Sequence, residues 1–500
     1  MRLEMFAVAL VVATPLALAV RPLSVTWSSY GHDAQHSGVS AVAAQPFHRI
    51  KWSTPVDLVF ENTPGDLLIH YGSPLVTASN TVIVPVRTSS ADTYRLDVLN
   101  GVDGSLKYSL ATTWSPPPHN WIPVFGPALT ARNRLYYPGP GGTVYYRDEP
   151  DSDSGPVGQI AFYGDALYAG ANQAIFDNNV MISTPIVSDR YGGIFFGFTV
   201  IGANPAHLES GIAKIDRNGN GTWIGAAAAA GSDESIVEVP TNCAPALSVD
   251  GFTLYFAVSS GPGTGGYLVS VNGRNLSPIA HVRLKDPEFG TDAALPDDGS
   301  ASPMVGPDGD VYYGVLETSC CSNHDRGWLL HFDQTLAQSK IPGAFGWDAT
   351  PSVISARLVP SYQGSSAYLL FSKYNNYLEA GGDGLNRIAI LDPNASQTDR
   401  ITGAAVMSEV LTILGTTPAD STSGAVREWC INNAAVDPFT RSVIANSEDG
   451  FVYRWDLATN TFTQSLRLSA GVGEAYTPTV IGVDGTGYAI SDAVLYAFGE

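Results

Sequence analysis

Short hydrophobic runs alternate with turns along the whole chain, in a unit that recurs at a regular position. Each unit begins with a small or polar residue, a proline, any residue and then valine or leucine. This pattern occupies residues 73–76, 126–129, 184–187, 244–247, 302–305, 350–353 and 477–480. A degenerate copy at residues 433–436 has Ala434 in place of the proline. The chain therefore contains eight copies of one structural unit.

Three further runs follow each copy and complete the unit. A turn, often Asp-Gly as at Asp250 and Gly251, leads to a run rich in aromatic and β-branched residues, which are typical of strands. A third run often ends in aspartate, as at Asp216 and Asp392, and a less regular run precedes the next proline. Four strands per unit predict a propeller blade. The proline is expected at the first residue of the innermost strand, where no ladder hydrogen bond needs its missing N–H.

The two ends of the chain predict how the ring closes. The last unit stops after its third run, residues 494–498, and residues 49–54 form a lone strand with no inner strands before it. Adding this strand to the last unit would complete the blade and remove an exposed sheet edge. The fold predicted is all-β: a single eight-bladed β-propeller, with four antiparallel strands per blade and its last blade closed by an N-terminal strand.

The N-terminal residues have the features of a secretion signal. Arg2 precedes an apolar run at residues 6–19, and Ala17 and Ala19 form a small-residue cleavage site. The run is too short for a confident membrane span, and no other stretch is long and apolar enough to cross a bilayer. We predict a signal peptide at 1–19, an N-terminal arm at 20–44, and the propeller at 45–500, in a protein secreted to the periplasm or the extracellular space.

Composition narrows the range of partners. The chain has 26 Lys and Arg residues against 47 Asp and Glu, a formal net charge of −21. Such an acidic surface repels phosphate backbones, so nucleic acid is not expected as a partner. Few charged residues, with 51 Gly and 33 Pro, suit many short strands joined by tight turns.

One face of a propeller holds the loops that enter the innermost strands and those that join second and third strands. Ligands bind in the funnel there, because side chains of several blades converge. The candidate ligand-binding residues are Tyr71, Trp121, Asn242, Asp298, Trp347, Asp348, Arg427, Glu428, Glu474 and Tyr476, with Trp429 among them. Aromatic rings with carboxylates and an arginine suit a small molecule or glycan, or a protein partner. The alternative is that many of them hold neighbouring blades together.

A loop of the fifth unit contains a candidate acid–base pair, His324 and Asp325. Such a pair can act as a general base, although a polar loop of this kind is more often a solvated turn. No residues have tight metal-ligand spacing, and we predict no metal site.

The repeat resembles that of the pyrroloquinoline-quinone (PQQ) propellers, which belong to the quinoprotein alcohol dehydrogenase-like superfamily. The Pro-x-Val start, the strand endings in aspartate and the opening segment at residues 27–38 carry the resemblance. The Thr-Gly-x-x-x-Trp ending of the catalytic members is eroded here, and residues 103–108 come nearest to it. The resemblance implies the fold, and it implies PQQ and Ca²⁺ as cofactors if the chain is an enzyme.

Four cysteines offer two arrangements. The resemblance implies a vicinal disulfide between Cys320 and Cys321, as in quinoprotein alcohol dehydrogenases. The residues themselves also allow two bridges across loops that include Cys243 and Cys430, since all four cysteines are expected at one face. An oxidising compartment favours structural bridges over a redox role.

Three functions remain open from the sequence. The leading one is a secreted, non-catalytic propeller that binds a ligand or partner at the funnel. The second is a PQQ-dependent oxidoreductase acting on an alcohol or sugar, with Ca²⁺ held by carboxylates and an amide. The third is a polysaccharide lyase or hydrolase.

Overall fold

Each recurring unit folds into one antiparallel sheet, and eight such sheets surround a common centre. The computed structural model describes residues 26–60, 69–296, 301–420, 423–471 and 478–500. The predicted eight-bladed β-propeller is confirmed. The predicted signal peptide at 1–19 lies outside the described residues. No described helix is long and apolar enough to span a membrane.

The blades are numbered in chain order, and their strands run from the centre outwards. Blade 1 contains Leu75–Val76, Thr81–Arg87, Tyr94–Asn100 and Leu106–Ala111; blade 2 contains Ala128–Leu129, Leu135–Pro138, Val144–Arg147 and Val157–Ile160. Blade 3 contains Val180–Ile182 and Val187–Ser188, then Ile194–Val200, Gly211–Ile215 and Gly221–Gly225; blade 4 contains Ala246–Leu247, Thr253–Ser259, Gly266–Asn272 and Pro278–Arg283.

The second half of the ring repeats this order. Blade 5 contains Met304–Val305, Val311–Val315 and Trp328–Phe332; blade 6 contains Ser352–Ser355, Tyr368–Tyr374, Arg387–Thr398 and Ala405–Leu414. Blade 7 contains Ala435–Asp437, Ser442–Asn446, Phe451–Asp456 and Thr461–Arg467; blade 8 contains Val480–Ile481, Gly487–Ser491 and Val494–Gly499. Short helices at Asp165–Tyr168, Gln173–Asn179 and Ala226–Ala229, and 3₁₀ turns at Pro140–Gly142, Gly170–Asn172 and Ala356–Leu358, lie between strands.

Two blades depart from the regular plan. In blade 3 the innermost strand is split, and Val180–Ile182 and Val187–Ser188 both pair with Ile194–Val200. In blade 5 the outer segment forms no regular strand and pairs with the third strand through isolated bridges at Ser339 and Gly343 and a hydrogen bond from Lys340 N–H to His331. Proline was predicted at the first residue of each inner strand, but the strands begin one or two residues after it.

Packing at the centre explains the small residues of the repeat. A Cβ atom added to Gly126 of blade 2 would lie 2.6 Å from Cα of Pro185 in blade 3. Ile186 N–H also donates to the carbonyl of Gly126 at 3.0 Å. The inner strands of neighbouring blades therefore approach too closely for larger side chains. The hydrophobic core lies mainly between blades, where clusters combine residues of adjacent sheets.

The ring closes as predicted. Strand Arg49–Pro55 pairs with Val494–Gly499, with Ile50 opposite Phe498 and Pro55 opposite Val494, and forms the outer strand of blade 8. The buried indole of Trp52 donates from Nε1 to the carbonyl of Gly101 in blade 1 at 3.0 Å. One strand therefore completes the last blade and joins it to the first.

Residues 26–40, here called the N-terminal plug, lie across the centre of the ring. Its carbonyl groups accept N–H donors from the innermost strands of six blades. The pairs, donor first, are Val76 to Trp27, Leu129 to Ser28, Leu247 to Ala34, Val305 to Gln35, Val353 to Ser37 and Val436 to Gly38, at 2.7–3.0 Å. The hydroxyl of Tyr30 is also within 2.9 Å of Thr350 Oγ1. The plug therefore links blades that do not touch one another directly.

His36 of the plug is fully buried, and its Nδ1 donates to the carbonyl of Pro303 at 2.7 Å. Burial lowers its pKa to about 4, against the smaller opposing effects of that hydrogen bond and of Asp33. As the pH falls below about 6.5, His36 becomes protonated in the unfolded chain but stays neutral in the folded one. The free energy of unfolding therefore decreases. The loss continues until the folded pKa is reached.

We expect the free energy of unfolding to fall by roughly 2 kcal/mol more between pH 7 and pH 5 in the wild type than in His36→Asn, from the pKa difference of His36. Asparagine retains an amide donor for Pro303 and tolerates the positive φ of this position. Urea unfolding of both proteins at each pH measures the difference. Equal pH dependence in the two proteins would show that His36 does not control it.

Candidate functional site

Polar side chains from several blades meet at the funnel face, where loops enter the inner strands or join second to third strands. We call them the funnel cluster: His70, Trp121, Asn242, Asp348, Lys373, Tyr377, Glu428, Cys430 and Glu448. Blades 1, 2, 4, 6 and 7 contribute residues. Convergence from separate blades is the usual basis of a ligand site in this architecture.

A buried ion pair lies within this cluster. Lys373, in the second strand of blade 6, is 2% exposed, and its Nζ lies 3.7 Å from Oδ2 of Asp348, which is 4% exposed. Asp348 precedes the inner strand of the same blade and has φ of 53°, a conformation that aspartate tolerates well. The aromatic ring of Phe345 lies 5.9 Å from Nζ. The ammonium group is also close enough to His70, Glu428 and Glu448 to influence the charge of all three.

Two carboxyl groups and a thiol converge beside this pair. The Cys430 thiol donates to Oε1 of Glu448 at 2.7 Å, and the ligand atoms of Glu428, Cys430 and Glu448 all lie within 4.8 Å of one another. The Ser447 hydroxyl donates to the carbonyl of Glu428 at 3.1 Å, so backbone contacts hold the two loops together.

Both carboxyl groups are harder to ionise than usual. Burial, with repulsion from Glu448 and Glu379, raises the pKa of Glu428 to about 8, although Lys373 and Arg427 oppose the rise. Burial likewise raises the pKa of Glu448, while the Cys430 hydrogen bond, Arg427 and Lys373 oppose the rise. Raised carboxyl pKa values are common at functional sites, so this pair is the main candidate of the cluster. The arrangement suits a positively charged group, which would favour the ionised forms.

Aromatic and amide groups form the neighbouring wall. The ring centroids of His70 and Trp121 are 5.4 Å apart, and Asn242 Nδ2 lies 3.3 Å from His70 Nδ1. Burial lowers the pKa of His70, which favours the neutral imidazole. Trp121 is half-buried, so it retains an accessible surface. This wall offers a flat apolar contact beside the charged groups.

The structure distributes the sequence-predicted residues unevenly. Trp121, Asn242, Asp348 and Glu428 belong to the funnel cluster. Tyr71 is buried instead, with its hydroxyl 3.5 Å from Asp57, and Trp429 is buried against Tyr453 and Phe462. Trp347 is half-buried and packs against the core of blades 4–6, and Arg427 is exposed. Asp298, Glu474 and Tyr476 lie outside the described residues.

His324 and Asp325 have separate partners. His324 Nδ1 lies 2.8 Å from Oδ1 of Asn376, and Asp325 accepts the N–H of Cys321 at 3.2 Å. The ring of His324 therefore faces another loop and is not oriented by Asp325. This arrangement lacks the base–orienting pair that a general-base mechanism uses.

The cysteines follow the vicinal arrangement. The structure pairs Cys320 with Cys321, and it places Cys243 and Cys430 in no disulfide. The alternative with two bridges across loops is therefore not formed. The two remaining cysteines lie in different surroundings, because Cys243 is buried in the core around Tyr313 and Cys430 faces Glu448. Cys320 itself is exposed.

Sequence reasoning missed His70, Lys373, Tyr377 and Glu448, and it named Cys430 only as a disulfide candidate. Lys373 was detectable as a lone charge near the end of the hydrophobic run of residues 368–374. Glu448 lies in a turn between second and third strands, a loop that reaches the funnel in every blade. Most of the predicted site residues precede inner strands, whereas Glu448 and Lys373 lie at or near the end of a blade's second strand.

Comparison with known proteins supports the propeller fold. No protein-family model and no curated protein sequence matches the chain. A europium-containing methanol dehydrogenase is similar in structure, with a TM-score of 0.55 and 10% identity over 94% of this chain and 89% of that chain. The quinohemoprotein alcohol dehydrogenase of Comamonas testosteroni gives 0.54 and 10% over 96% and 81%, respectively.

Sqt1 of Saccharomyces cerevisiae is also similar, with a TM-score of 0.52 and 9% identity over 91% of this chain and 99% of that chain. At such identities the likeness establishes the fold alone. The predicted resemblance to quinoprotein propellers is therefore confirmed as a likeness of architecture. Function has to be argued from the site itself.

Proposed function

We propose that this chain is a secreted binding protein whose funnel face holds a small polar ligand that presents a positively charged group. The observation that carries the proposal is the convergence of Glu428, Cys430 and Glu448, whose ligand atoms lie within 4.8 Å of one another. An ammonium group or a divalent cation matches this chemistry. His324 and Asp325, the candidate acid–base pair, have separate partners and are not part of this proposal.

The electrostatics support a cationic ligand. Three carboxyl groups, those of Glu379, Glu428 and Glu448, influence one another, against the cations Lys373 and Arg427. Two carboxylates close together in a shielded place repel each other, and a bound cation removes that repulsion. Because Glu428 has a pKa of about 8, binding of a cation near neutral pH would release a proton.

The neighbouring wall supports an organic ligand. The half-buried indole of Trp121 provides a flat accessible surface, and the buried ring of His70 packs behind it with its centroid 5.4 Å away. Such rings attract cationic groups and the apolar faces of sugars. An amino sugar or a polyamine would use both the carboxylates and the wall, whereas a metal ion would use only the carboxylates and the thiol.

The quinoprotein function is the second candidate, and the described residues do not fit its cofactor. PQQ carries several carboxylates, whereas the funnel cluster has more acidic than basic groups. The side-chain oxygen of Asn375 accepts the N–H of Trp429 at 3.2 Å, so this nearby amide is already used as an acceptor. A thiol and an ammonium group are also unusual neighbours for Ca²⁺, which prefers oxygen ligands.

We expect a cationic probe to bind the full chain and to raise its melting temperature. Spermidine, glucosamine and Zn²⁺ are titrated separately by calorimetry at pH 7, and spermidine, which remains a polycation, is titrated again at pH 9. Affinity is expected to rise with pH, because Glu428 loses its proton near pH 8. Glu428→Gln and Glu448→Gln should each weaken binding roughly tenfold, the usual loss for one charge-assisted contact.

Glu149→Gln is the matched control, because Glu149 is an exposed glutamate in a loop of the opposite face. This variant should bind as the wild type does. Tight binding of neutral glucose but not glucosamine would contradict the proposal, as would binding that both funnel variants retain. Saturable uptake of PQQ with Ca²⁺, seen as quinone absorbance, would favour the oxidoreductase instead.

A further inference from the structure

A positively charged groove lies on the face opposite the funnel. It is formed by loops that join first to second strands and third to fourth strands in blades 2, 3 and 4. Six cationic residues line it, namely Arg132, Arg134, Arg190, Lys214, Arg217 and Arg274, against four carboxylates, Asp33, Asp148, Asp189 and Asp216. The whole chain has 26 such residues and a net charge of −21, so this concentration is local and unusual.

The groove consists of adjoining cavities. The largest, of about 580 Å³, lies between blades 2 and 3 and is lined by Arg132, Arg134 and Arg217 with a single carboxylate, Asp148. A second cavity of about 180 Å³ lies between blades 3 and 4 and shares Tyr191, Arg217 and Asn218 with the first. Together the two cavities form one elongated groove that crosses blade 3. A cavity of a few hundred Å³ is large enough for a small organic ligand.

The guanidinium groups differ in their partners. Arg134 binds Asp148 through Nε at 2.7 Å and Nη2 at 3.0 Å, which neutralises its charge. Arg132 and Arg217 are exposed, and neither side chain makes a hydrogen bond or ion pair with the described residues. Both are therefore available as donors to an oxyanion, for which the planar guanidinium is well suited.

Aromatic rings alternate with these cations along the groove. Tyr191, which is 49% exposed, lies between the two cavities; the Arg190 guanidinium donates to its hydroxyl at 2.7 Å and lies 4.8 Å from its ring centroid, which leaves the other side of the ring for a ligand. Phe252 follows at the second cavity, with the Arg274 guanidinium 4.6 Å from its ring centroid. Exposed rings between spaced cations suit a ligand that alternates apolar faces with anionic groups.

We infer that this groove binds a short acidic oligosaccharide, whose carboxylate or sulfate groups pair with Arg132 and Arg217 while a sugar ring stacks on Tyr191. A long polyanion is disfavoured, because the acidic remainder of the surface repels it beyond the groove. The site is independent of the proposed funnel site, since the two lie on opposite faces and recognise opposite charges.

Calorimetric titration of the full chain with trigalacturonate tests the inference. We expect saturable binding that weakens with added salt, roughly tenfold weaker in Arg132→Gln or Arg217→Gln and roughly a hundredfold weaker in the double variant, since each removes one charge-assisted contact. A sulfated disaccharide distinguishes sulfate from carboxylate recognition. Neutral galactotriose should not bind.

Arg357→Gln is the matched control, because Arg357 is an exposed arginine on the same face in blade 6. It should leave binding unchanged, and so should Glu428→Gln in the funnel. The inference is overturned if trigalacturonate shows no saturable binding or binds the double variant as tightly as the wild type. Tighter binding of a short oligothymidylate than of either acidic sugar would also overturn it.

Discussion

A chain that lacks residues 45–56 is expected to lose cooperative folding and to aggregate. The deletion removes the strand Arg49–Pro55, which pairs along its whole length with Val494–Gly499. Blade 8 would then expose an unpaired strand edge that can pair with another chain. Size-exclusion chromatography and thermal unfolding followed by near-ultraviolet circular dichroism measure both consequences.

The seam between the first and last blades explains the size of this effect. Trp52 packs on Gly104 of blade 1, where an added Cβ would lie 2.6 Å from the indole, and Gly104 has φ of +72°. The indole also donates to Gly101 at 3.0 Å. Loss of the strand therefore removes the outer edge of blade 8 together with the contact that Trp52 makes with blade 1, and leaves only the inner strands of the two blades packed against each other.

A graded variant keeps the prediction testable if the deletion yields no protein. Trp52→Ala should lower the free energy of unfolding by about 3–5 kcal/mol, the usual cost of removing a buried tryptophan side chain. Ser53→Ala, at an exposed position of the same strand, should change it by less than about 0.5 kcal/mol. A soluble deletion variant that unfolds cooperatively at the wild-type temperature would contradict the closure argument.

The fold was predictable because the repeat is a local pattern. Prolines such as Pro74 and Pro127 precede innermost strands, and the run at 494–498 lacked a partner that only residues 49–54 could supply. Two local features were not predictable. The split inner strand of blade 3 and the irregular outer segment of blade 5 depend on contacts between neighbouring segments. The role of the N-terminal plug also depends on contacts with six separate blades.

The candidate site was predictable only in part, because its residues are far apart in sequence. Asp348 and Glu428 were named from their positions before inner strands. Lys373 and Glu448 lie at strand ends and turns whose orientation depends on the twist of each blade. Tyr71 occupies an equivalent loop position yet turns towards Asp57, which shows that loop position alone does not determine which side chains face the funnel.

Among the funnel residues, Lys373 should cause the largest loss of stability when it is replaced, because it forms a buried ion pair with Asp348. Lys373 is 2% exposed, so its ammonium group is much less solvated than that of a surface lysine. Removing one partner of a buried ion pair leaves the other charge in a poorly solvated place. Lys373→Met should therefore lower the free energy of unfolding by about 3–5 kcal/mol. The cost arises from uncompensated Asp348 rather than from lost packing.

A double-mutant cycle separates these two causes. Asp348→Asn removes the carboxylate and retains a residue that tolerates the positive φ at this position. Combined with Lys373→Met, it should recover at least about 1 kcal/mol relative to the sum of the single losses, because neither charge is then left alone. Lys285→Met is the control, since Lys285 pairs with Asp292 at the surface and should cost less than about 1 kcal/mol. Strictly additive losses in urea unfolding would show that Lys373 acts through packing and not through its charge.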